Sequence, residues 1–452
     1  MKKKYVRWTL WTIASPFILF IILCILIYLP PIQNFLVDKA AVYASEATGM
    51  NISVGRISLS FPLNLVVTNV DAASPHNDTL LSVRRLQVNV QLLPLLKKQV
   101  EVDGISLQGA TVNSNDLIHG MKLNGTLGEL FISSHGVALD PETAIVNKVL
   151  LKDTDLSLCL NDTAAADTAA SDTAYWKIIL QDIDLQSLAA SLDNAILRDG
   201  LIDLHKSAYS LQTFRIENGR VRYDNGKPLA ADSLSSGLDP SHIALTDIGV
   251  KLDSLYYGGR NMKAIISQFV LKERSGVEIV SATGRMVSND KVLRVPSLKL
   301  ETRDSYLELN AAMDWNALDF KGEGLMSARL MADIGKPDVV RFMGSMDEKF
   351  IRQYPSEPLR IRTGIDGDLN KLKLTTLTAE LPGALGLFAR GELTHLTDSL
   401  LRGGDITLEA ETKDLKFVST LAEGIEIPYG TRLEGKFTMA GTKMGTDLLL
   451  MQ

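Results

Sequence analysis

Between Gly55 and Asp71 the chain reads GRISLSFPLNLVVTNVD. Ile57, Leu59, Phe61, Leu63, Leu65 and Val67 alternate there with Arg56, Ser58, Ser60, Pro62, Asn64 and Val66. Period-two alternation predicts a strand with one apolar face and one wet face. Pro62 predicts a bend or an edge, because proline cannot donate to a ladder. The rhythm returns in Leu86, Val88, Val90 and Leu92. It returns again in Val100 and Val102, then Ile105 and Leu107, on either side of Asp103–Gly104, read as a turn. Ile178, Leu180, Ile183 and Leu185 follow it with a slip. Farther on it appears in Leu307, Leu309, Ala311, Met313 and Trp315, in Leu359, Ile361, Thr363 and Ile365, in Ile406, Leu408 and Ala410, and in Leu433, Phe437 and Met439.

Turn-forming dipeptides punctuate these runs: Asp-Gly at Asp103, Asp199 and Asp366, Asn-Gly at Asn124, Asn218 and Asn225, and Gly-Gly at Gly258 and Gly403. Short strands between such signals predict an antiparallel succession. Helix-length segments do not alternate with the strands, so the pattern is not that of a βαβ fold. Helices are expected at Gly335–Tyr354, with Pro337 in the first turn, and at Lys413–Gly424, with Asp414 as cap and Gly424 as stop. Leu185–Leu192 reads either way, and Asn161–Ala174 (NDTAAADTAASDTA) is a low-complexity loop between strands.

Residues 8–29 are uncharged and apolar, about the length needed to cross a bilayer. Lys2, Lys3, Lys4 and Arg7 precede them, which orients the N-terminus to the cytoplasm, and Trp8, Trp11 and Tyr28 fall near the two ends. The run is long for a signal peptide and lacks a small-residue cleavage site, so a retained anchor is the expected reading. Ile32–Met50 has helical spacing and closes on Gly49, which predicts an amphipathic helix at the membrane surface. The bulk would then lie across the membrane, in a Gram-negative cell the periplasm.

Net charge is −6, although the first seven residues carry four cations. An acidic remainder without basic clusters argues against a nucleic-acid partner. Cys24, in the apolar run, and Cys159, in a strand, form no disulfide framework. The six histidines are isolated, with no metal-ligand spacing, and no nucleophile elbow, P-loop, dinucleotide fingerprint or zincin motif occurs. Gly104–Gly109 (GISLQG) reads as a turn into a strand rather than a phosphate cradle. The residues thus point to no catalytic site, no cofactor and no metal. What the chain offers is apolar strand surface. It can be satisfied by two packed sheets, by a barrel, or by one long sheet whose apolar side is completed by a ligand. An outer-membrane barrel fits poorly with an anchor helix and 6% aromatic residues.

The order of features carries a resemblance. ATGMNISVGRISLSFPLNLVVTNVDA is followed by DTLLSVRRLQVNVQLLPLLKKQVEVDGISLQGATVN, then by IALTDIGVKLDSLYYGGRNMKAIISQFVLKERSGVEI and VPSLKLETRDSYLEL. This succession resembles the N-terminal portion of AsmA-like proteins, in particular the TamB branch, the inner-membrane subunit of the translocation and assembly module. The resemblance implies a mainly β fold: a transmembrane helix, then a long, curled antiparallel β-sheet forming a taco-like hydrophobic groove, with a few short helices. Residues 1–31 would be the basic tip and anchor, 32–50 the juxtamembrane helix and 51–452 the periplasmic groove. Such proteins are longer and end in a distinct domain, and this chain stops at GTKMGTDLLLMQ in mid-strand by its pattern, so a piece of a longer protein is expected. The implied function is carriage of phospholipid between inner and outer membranes. The alternative is a scaffold for outer-membrane protein assembly with a BamA-like barrel as partner. No catalytic residue carries over. Groove candidates are Ile57, Leu59, Phe61, Leu63, Leu65, Val67, Leu86, Val88, Val90, Leu92, Leu307, Leu309 and Met313. Separately, Asp-Thr or Asp-Ser before an apolar residue, at Thr79, Thr163, Thr168, Thr173, Ser233, Ser254 and Ser399, resembles a periplasmic O-glycosylation motif, with chance in an Asp/Thr/Ala-rich loop as the alternative.

Overall fold

The computed structural model describes residues 49–60, 64–74, 79–91, 102–118, 121–138, 143–160, 177–193, 209–225, 237–258, 260–318, 324–343, 348–420 and 429–451, together with 39, 41, 42, 45 and 46. The expected anchor at residues 8–29 lies outside them, as do Phe61, Pro62, Leu63, Leu92 and the loop Asn161–Ala174. Among the described residues no helix is long and apolar enough to cross a membrane. Residues 39, 41, 42, 45 and 46 are helical. Gly49, at φ +68°, donates its N–H to the Ser45 carbonyl, the expected C-terminal stop.

The chain is mainly β and divides into two compact units, Met1–Asn194 and Ala195–Gln452. The first holds β1 (Asn51–Ser60), β2 (Asn64–Ala73), β3 (Thr79–Val90), β4 (Val102–Ile118), β5 (Met121–Ala138), β6 (Thr143–Leu160) and β7 (Lys177–Asp193). Each pairs with the next. The second holds β8 (Tyr209–Leu211), β9 (Thr213–Asp224), β10 (His242–Gly258), β11 (Asn261–Glu273), β12 (Glu278–Ser288), β13 (Val292–Thr302), β14 (Tyr306–Asp314) and β15 (Met326–Ile334). It continues through β16 (Leu359–Gly367), β17 (Lys371–Leu381), β18 (Leu385–Thr394), β19 (Gly403–Thr412), β20 (Arg432–Ala440) and β21 (Lys443–Met451). From β9 onward each strand again pairs antiparallel with its successor, and β8 extends the β9 side of β10. Within each unit the pairing runs strand to strand without returning, so the strands do not close into a barrel.

Several expectations are corrected. The β6–β7 pair is parallel, not antiparallel. The sixteen residues between them are enough for the crossover that parallel strands need. Asp103–Gly104 is not a turn: both residues lie in β4, where Asp103 bulges out of the ladder between the Asn89–Gly104 and Val90–Val102 pairs. GISLQG is therefore strand throughout. Asn124–Gly125 and Asn218–Gly219 also sit inside strands, β5 and β9. Gly125 is needed there because a Cβ would meet the Asp155 carbonyl at 2.4 Å and the Leu156 side chain at 2.7 Å. Asp366–Gly367 and Gly258, by contrast, do end strands at hairpins. Leu185–Leu192 is strand, within β7.

The helical segments expected from the sequence sit at one rim of the second unit; Trp315, expected to continue β14, instead opens a 3-10 turn, Trp315–Leu318, at the other end of that strand. Gly335–Tyr354 forms two short helices, α1 (Lys336–Phe342), with Pro337 in its first turn, and α2 (Glu348–Gln353). Of Lys413–Gly424, Lys416–Thr420 forms a short 3-10 turn, capped by Asp414, whose carboxylate accepts the Lys416 N–H, and the expected stop Gly424 lies outside the described residues. Phe350, Tyr354 and Phe417 meet at centroid distances of 5.1–5.9 Å and pack with Leu381, Ala384 and Leu415 into a buried core. A polar knot docks α1 on the β13–β14 turn. Buried Asp338 accepts from the Thr302 and Ser305 hydroxyls and from Arg341, which also reaches Asp304 at 2.7 Å. Burial works against the Arg341 cation, but these two carboxylates outweigh it and hold its pKa above the usual arginine range.

Candidate functional site

Register decides which side chains share a face. In the first unit Ile57 pairs with Val67, Val67 with Leu86, Leu86 with Leu107, Leu107 with Leu130, Leu130 with Leu151, and Leu151 with Leu185. A second aliphatic row runs beside it: Leu59, Leu65, Val88, Ile105, Ile132, Val149 and Ile183. The predicted groove residues Ile57, Leu59, Leu65, Val67, Leu86 and Val88 thus lie together on one face. The row between, on the opposite face, is Ser58, Val66, Gln87, Ser106, Phe131, Leu150 and Asp184, and the polar row Arg56, Thr68, Arg85, Gln108, Glu129, Lys152 and Gln186 flanks the Ile57 row on its other side. Val90 lies past the Asp103 bulge, paired with Val102.

The second unit repeats the separation over more strands. One row runs from Ala282 through Leu300, Leu307, Ala332, Ile361, Ala379, Leu387 and Ala410 to Leu433. Its neighbour runs Leu298, Leu309, Leu330, Thr363, Leu377, Ala389 and Leu408. Leu293, Met313, Met326, Gly367, Leu372 and Leu393 form another. The predicted residues Leu307, Leu309 and Met313 fall on this face, one per row. The other face carries cross-strand ion pairs: Lys299–Glu308 at 4.0 Å, Arg329–Asp366 at 2.7 Å, Arg362–Asp333 at 2.8 Å, Lys371–Glu392 at 3.2 Å and Lys436–Asp405 at 3.0 Å. Met331, Phe388, Val287, Leu449 and Met451 are among the apolar residues on it.

Burial shows how the apolar face is covered. In a sandwich the inner side chains of both sheets interdigitate and become fully buried. Here the members of the rows that reach that state are mostly small, among them Ala332 and Ala389, each 2% exposed, although Val83 is buried too. Leu307, Leu309, Leu330, Ile361, Leu377 and Leu408 are only partly buried, as are Ile57, Leu59, Leu65, Val67, Leu86 and Val88. Their cover is lateral. Large side chains lie down over small cross-strand neighbours: a Cβ on Gly435 would meet Leu448 at 2.3 Å, and one on Gly284 would meet Leu298 at 2.8 Å. The result is a continuous aliphatic floor that protein covers only in part.

One feature was not anticipated. A line crosses all seven strands of the first unit at Gly55, Asn69, Arg84, Gly109, Gly128, Asp153 and Ser187, where none of these residues is ladder-paired and the register resumes unchanged beyond. Asn69, Gly109, Asp153 and Ser187 adopt positive φ, from +49° to +62°. On the β5 side of Asp153 glycine is required, since a Cβ on Gly128 would fall 2.8 Å from that of Asp153. Past the line the apolar positions change parity. Val54, Val70, Val83, Ala110, Leu127, Thr154 and Leu188 form one aligned row, and Ile52, Ala72, Leu81, Val112 and Leu156 another. The sequence signal is apolar residues at i, i+2, i+5 and i+7, as in Ile52, Val54, Ile57 and Leu59, and the slip at Ile178–Leu185 is a trace of the same habit.

Other chemistry is sparse. Among the described residues no cluster of His, Cys, Asp or Glu is placed to hold a metal. Buried His242 holds Asp239 at 2.8 Å through Nδ1, and this hydrogen bond keeps the Asp239 carboxyl below the usual carboxylate range. Thr79 is exposed at the start of β3, and Thr163, Thr168 and Thr173 lie outside the described residues. No protein-family model, curated protein or solved structure matches the chain.

Proposed function

We propose that the chain is an inner-membrane-anchored periplasmic carrier whose apolar sheet face forms a groove for the acyl chains of phospholipids moving between the inner and outer membranes. The observation that supports this is the aliphatic floor, continuous from strand to strand within each unit and only partly covered by protein. Two acyl chains carry roughly 30 methylenes at ~0.8 kcal/mol each, so leaving them in water costs on the order of 20 kcal/mol. A floor of aliphatic rows removes that cost without specific contacts. The opposite, ion-paired face stays in water. Curling of the sheet brings the two margins of the floor toward each other and leaves head groups at the mouth. No nucleotide-binding motif occurs in the sequence, so direction comes from a gradient or from a partner at either end.

The test is a charge on the floor. Val88, flanked by Leu65 and Ile105, becomes Asp in the full-length chain. Transfer of labelled phospholipid from inner to outer membrane is expected to fall at least tenfold while the protein stays folded and anchored. Unchanged transfer by a folded Val88→Asp protein contradicts the proposal. Recovery of client polypeptide on strand edges, with no lipid, favours the assembly-scaffold reading with a BamA-like barrel.

A further inference from the structure

The unpaired line across the first unit divides its apolar face into two bands. On one side lie the rows through Ile57 and Leu59, on the other the rows through Val54 and Ile52. At the line each strand places two consecutive residues on the polar face, such as Gly55 with Arg56 and Thr68 with Asn69, and these four line one shallow concavity with Arg85. Two adjacent residues on one side of a strand, one of them at positive φ, bend it and sharpen its twist. Repeated in register on seven strands, the bend becomes a crease whose outer side is polar. Exposure agrees: Arg56, Asn69, Arg84, Lys152 and Asp153 are exposed, whereas Val83 and Ala110, just across on the apolar side, are buried.

Each band has two aliphatic rows about 7 Å apart, two residues along a strand. A single furrow therefore runs down each band. Seven strands spaced ~4.8 Å apart make it about 29 Å long. A bilayer core about 30 Å thick holds two tails end to end, so one tail of about 15 Å fits within one furrow.

We infer that the first unit takes lipids with two acyl chains and seats one chain in each band, with the crease between them. This rests on the lipid-carrier reading and adds to it the class of lipid and its orientation. Asn69 and Asp153 at the crease position the two walls and do not touch the lipid. A lipid with four or more tails has no further furrow in this unit.

The experiment uses the full-length chain in nanodiscs and a diacyl phosphatidylethanolamine carrying a diazirine in each acyl chain. After photolysis and proteolysis, mass spectrometry identifies residue pairs bridged by one lipid. Bridges are expected to join opposite bands, for instance Leu86 or Leu107 with Leu81 or Val112, at least fivefold more often than residues of one band. Bridges mainly within one band overturn the two-furrow arrangement and leave the carrier reading standing. No lipid adduct on either band overturns both. A Gly128→Val variant adds a second measurement: by disturbing the crease it should reduce cross-band bridges while single adducts persist, and an unchanged bridge ratio in a variant shown to have altered β5–β6 exchange contradicts the positioning role.

Discussion

Leu309 to Asp is the substitution that separates a partly covered floor from a core. Leu309 lies between Leu298 and Leu330 and is partly buried. Full burial of a leucine contributes about 1.5–3 kcal/mol, so a side chain covered only from its flanks loses about 1 kcal/mol. Aspartate in a strand costs up to about 1 kcal/mol more. The carboxylate finds water on the open side and incurs no burial penalty. The total is about 2 kcal/mol, which corresponds to roughly 30-fold faster amide exchange in β14 if exchange follows local opening. The comparison is Phe350→Ala at the rim, where the ring is 1% exposed and packs on Tyr354 and Phe417. That truncation is expected to cost about 3–5 kcal/mol and to speed exchange in α2 and its neighbours more than 100-fold. Both variants are measured by hydrogen exchange and mass spectrometry on the full chain in the same detergent. If Leu309→Asp loosens the sheet as much as Phe350→Ala loosens the rim, Leu309 lies beneath a second protein layer and the reasoning fails.

Three other outcomes follow from the same packing. Gly128→Val forces a Cβ to within 2.9 Å of the Lys152 and Asp153 carbonyls and is expected to destabilise the β5–β6 pair by about 1–3 kcal/mol, whereas Gly386→Ala, with nothing within 4 Å of its Cβ, should leave exchange in β18 unchanged. Asp338→Ala removes the shared acceptor of Thr302, Ser305 and Arg341 and is expected to lower stability by about 3–5 kcal/mol in thermal unfolding, with Asp338→Asn intermediate; a neutral Asp338→Ala refutes a docking role for the knot. Asp239 has a folded pKa below its unfolded value because of its hydrogen bond from His242, so its contribution is fully present above about pH 4 and is lost as pH falls further, through the folded pKa; Asp239→Asn should flatten the acid limb of the stability profile, and an identical limb in both proteins would count against that assignment.

The floor was legible because register kept what the sequence alternates. Leu307, Leu309 and Met313 needed only a straight strand to land on one face, and β14 is straight through them. Ile57, Leu59, Leu65 and Val67 fell on one face for the same reason. What was not legible came from glycine. Asn124–Gly125 and Asn218–Gly219 look like hairpin tips, but glycine here serves a neighbour: Leu156 lies against Gly125, and Ile216 comes within 2.7 Å of a Cβ on Gly219. The crease was hidden because a skipped residue in one strand resembles noise until seven strands align it. The parallel β6–β7 pair was hidden for a different reason. Short-range turn chemistry specifies hairpins, whereas the direction of β7 depends on a crossover that no local pattern encodes.

The central claim is that acyl chains, not protein, complete the apolar face. It is tested most directly by placing a photoactivatable amino acid at Leu307, Leu309, Glu308 or Asn310 in turn, in the native membrane, and identifying the adducts by mass spectrometry. The account predicts phospholipid adducts at Leu307 and Leu309 and few or none at Glu308 and Asn310, which alternate with them along β14. Equal lipid labelling of both faces, or protein adducts alone at Leu307 and Leu309, would contradict it.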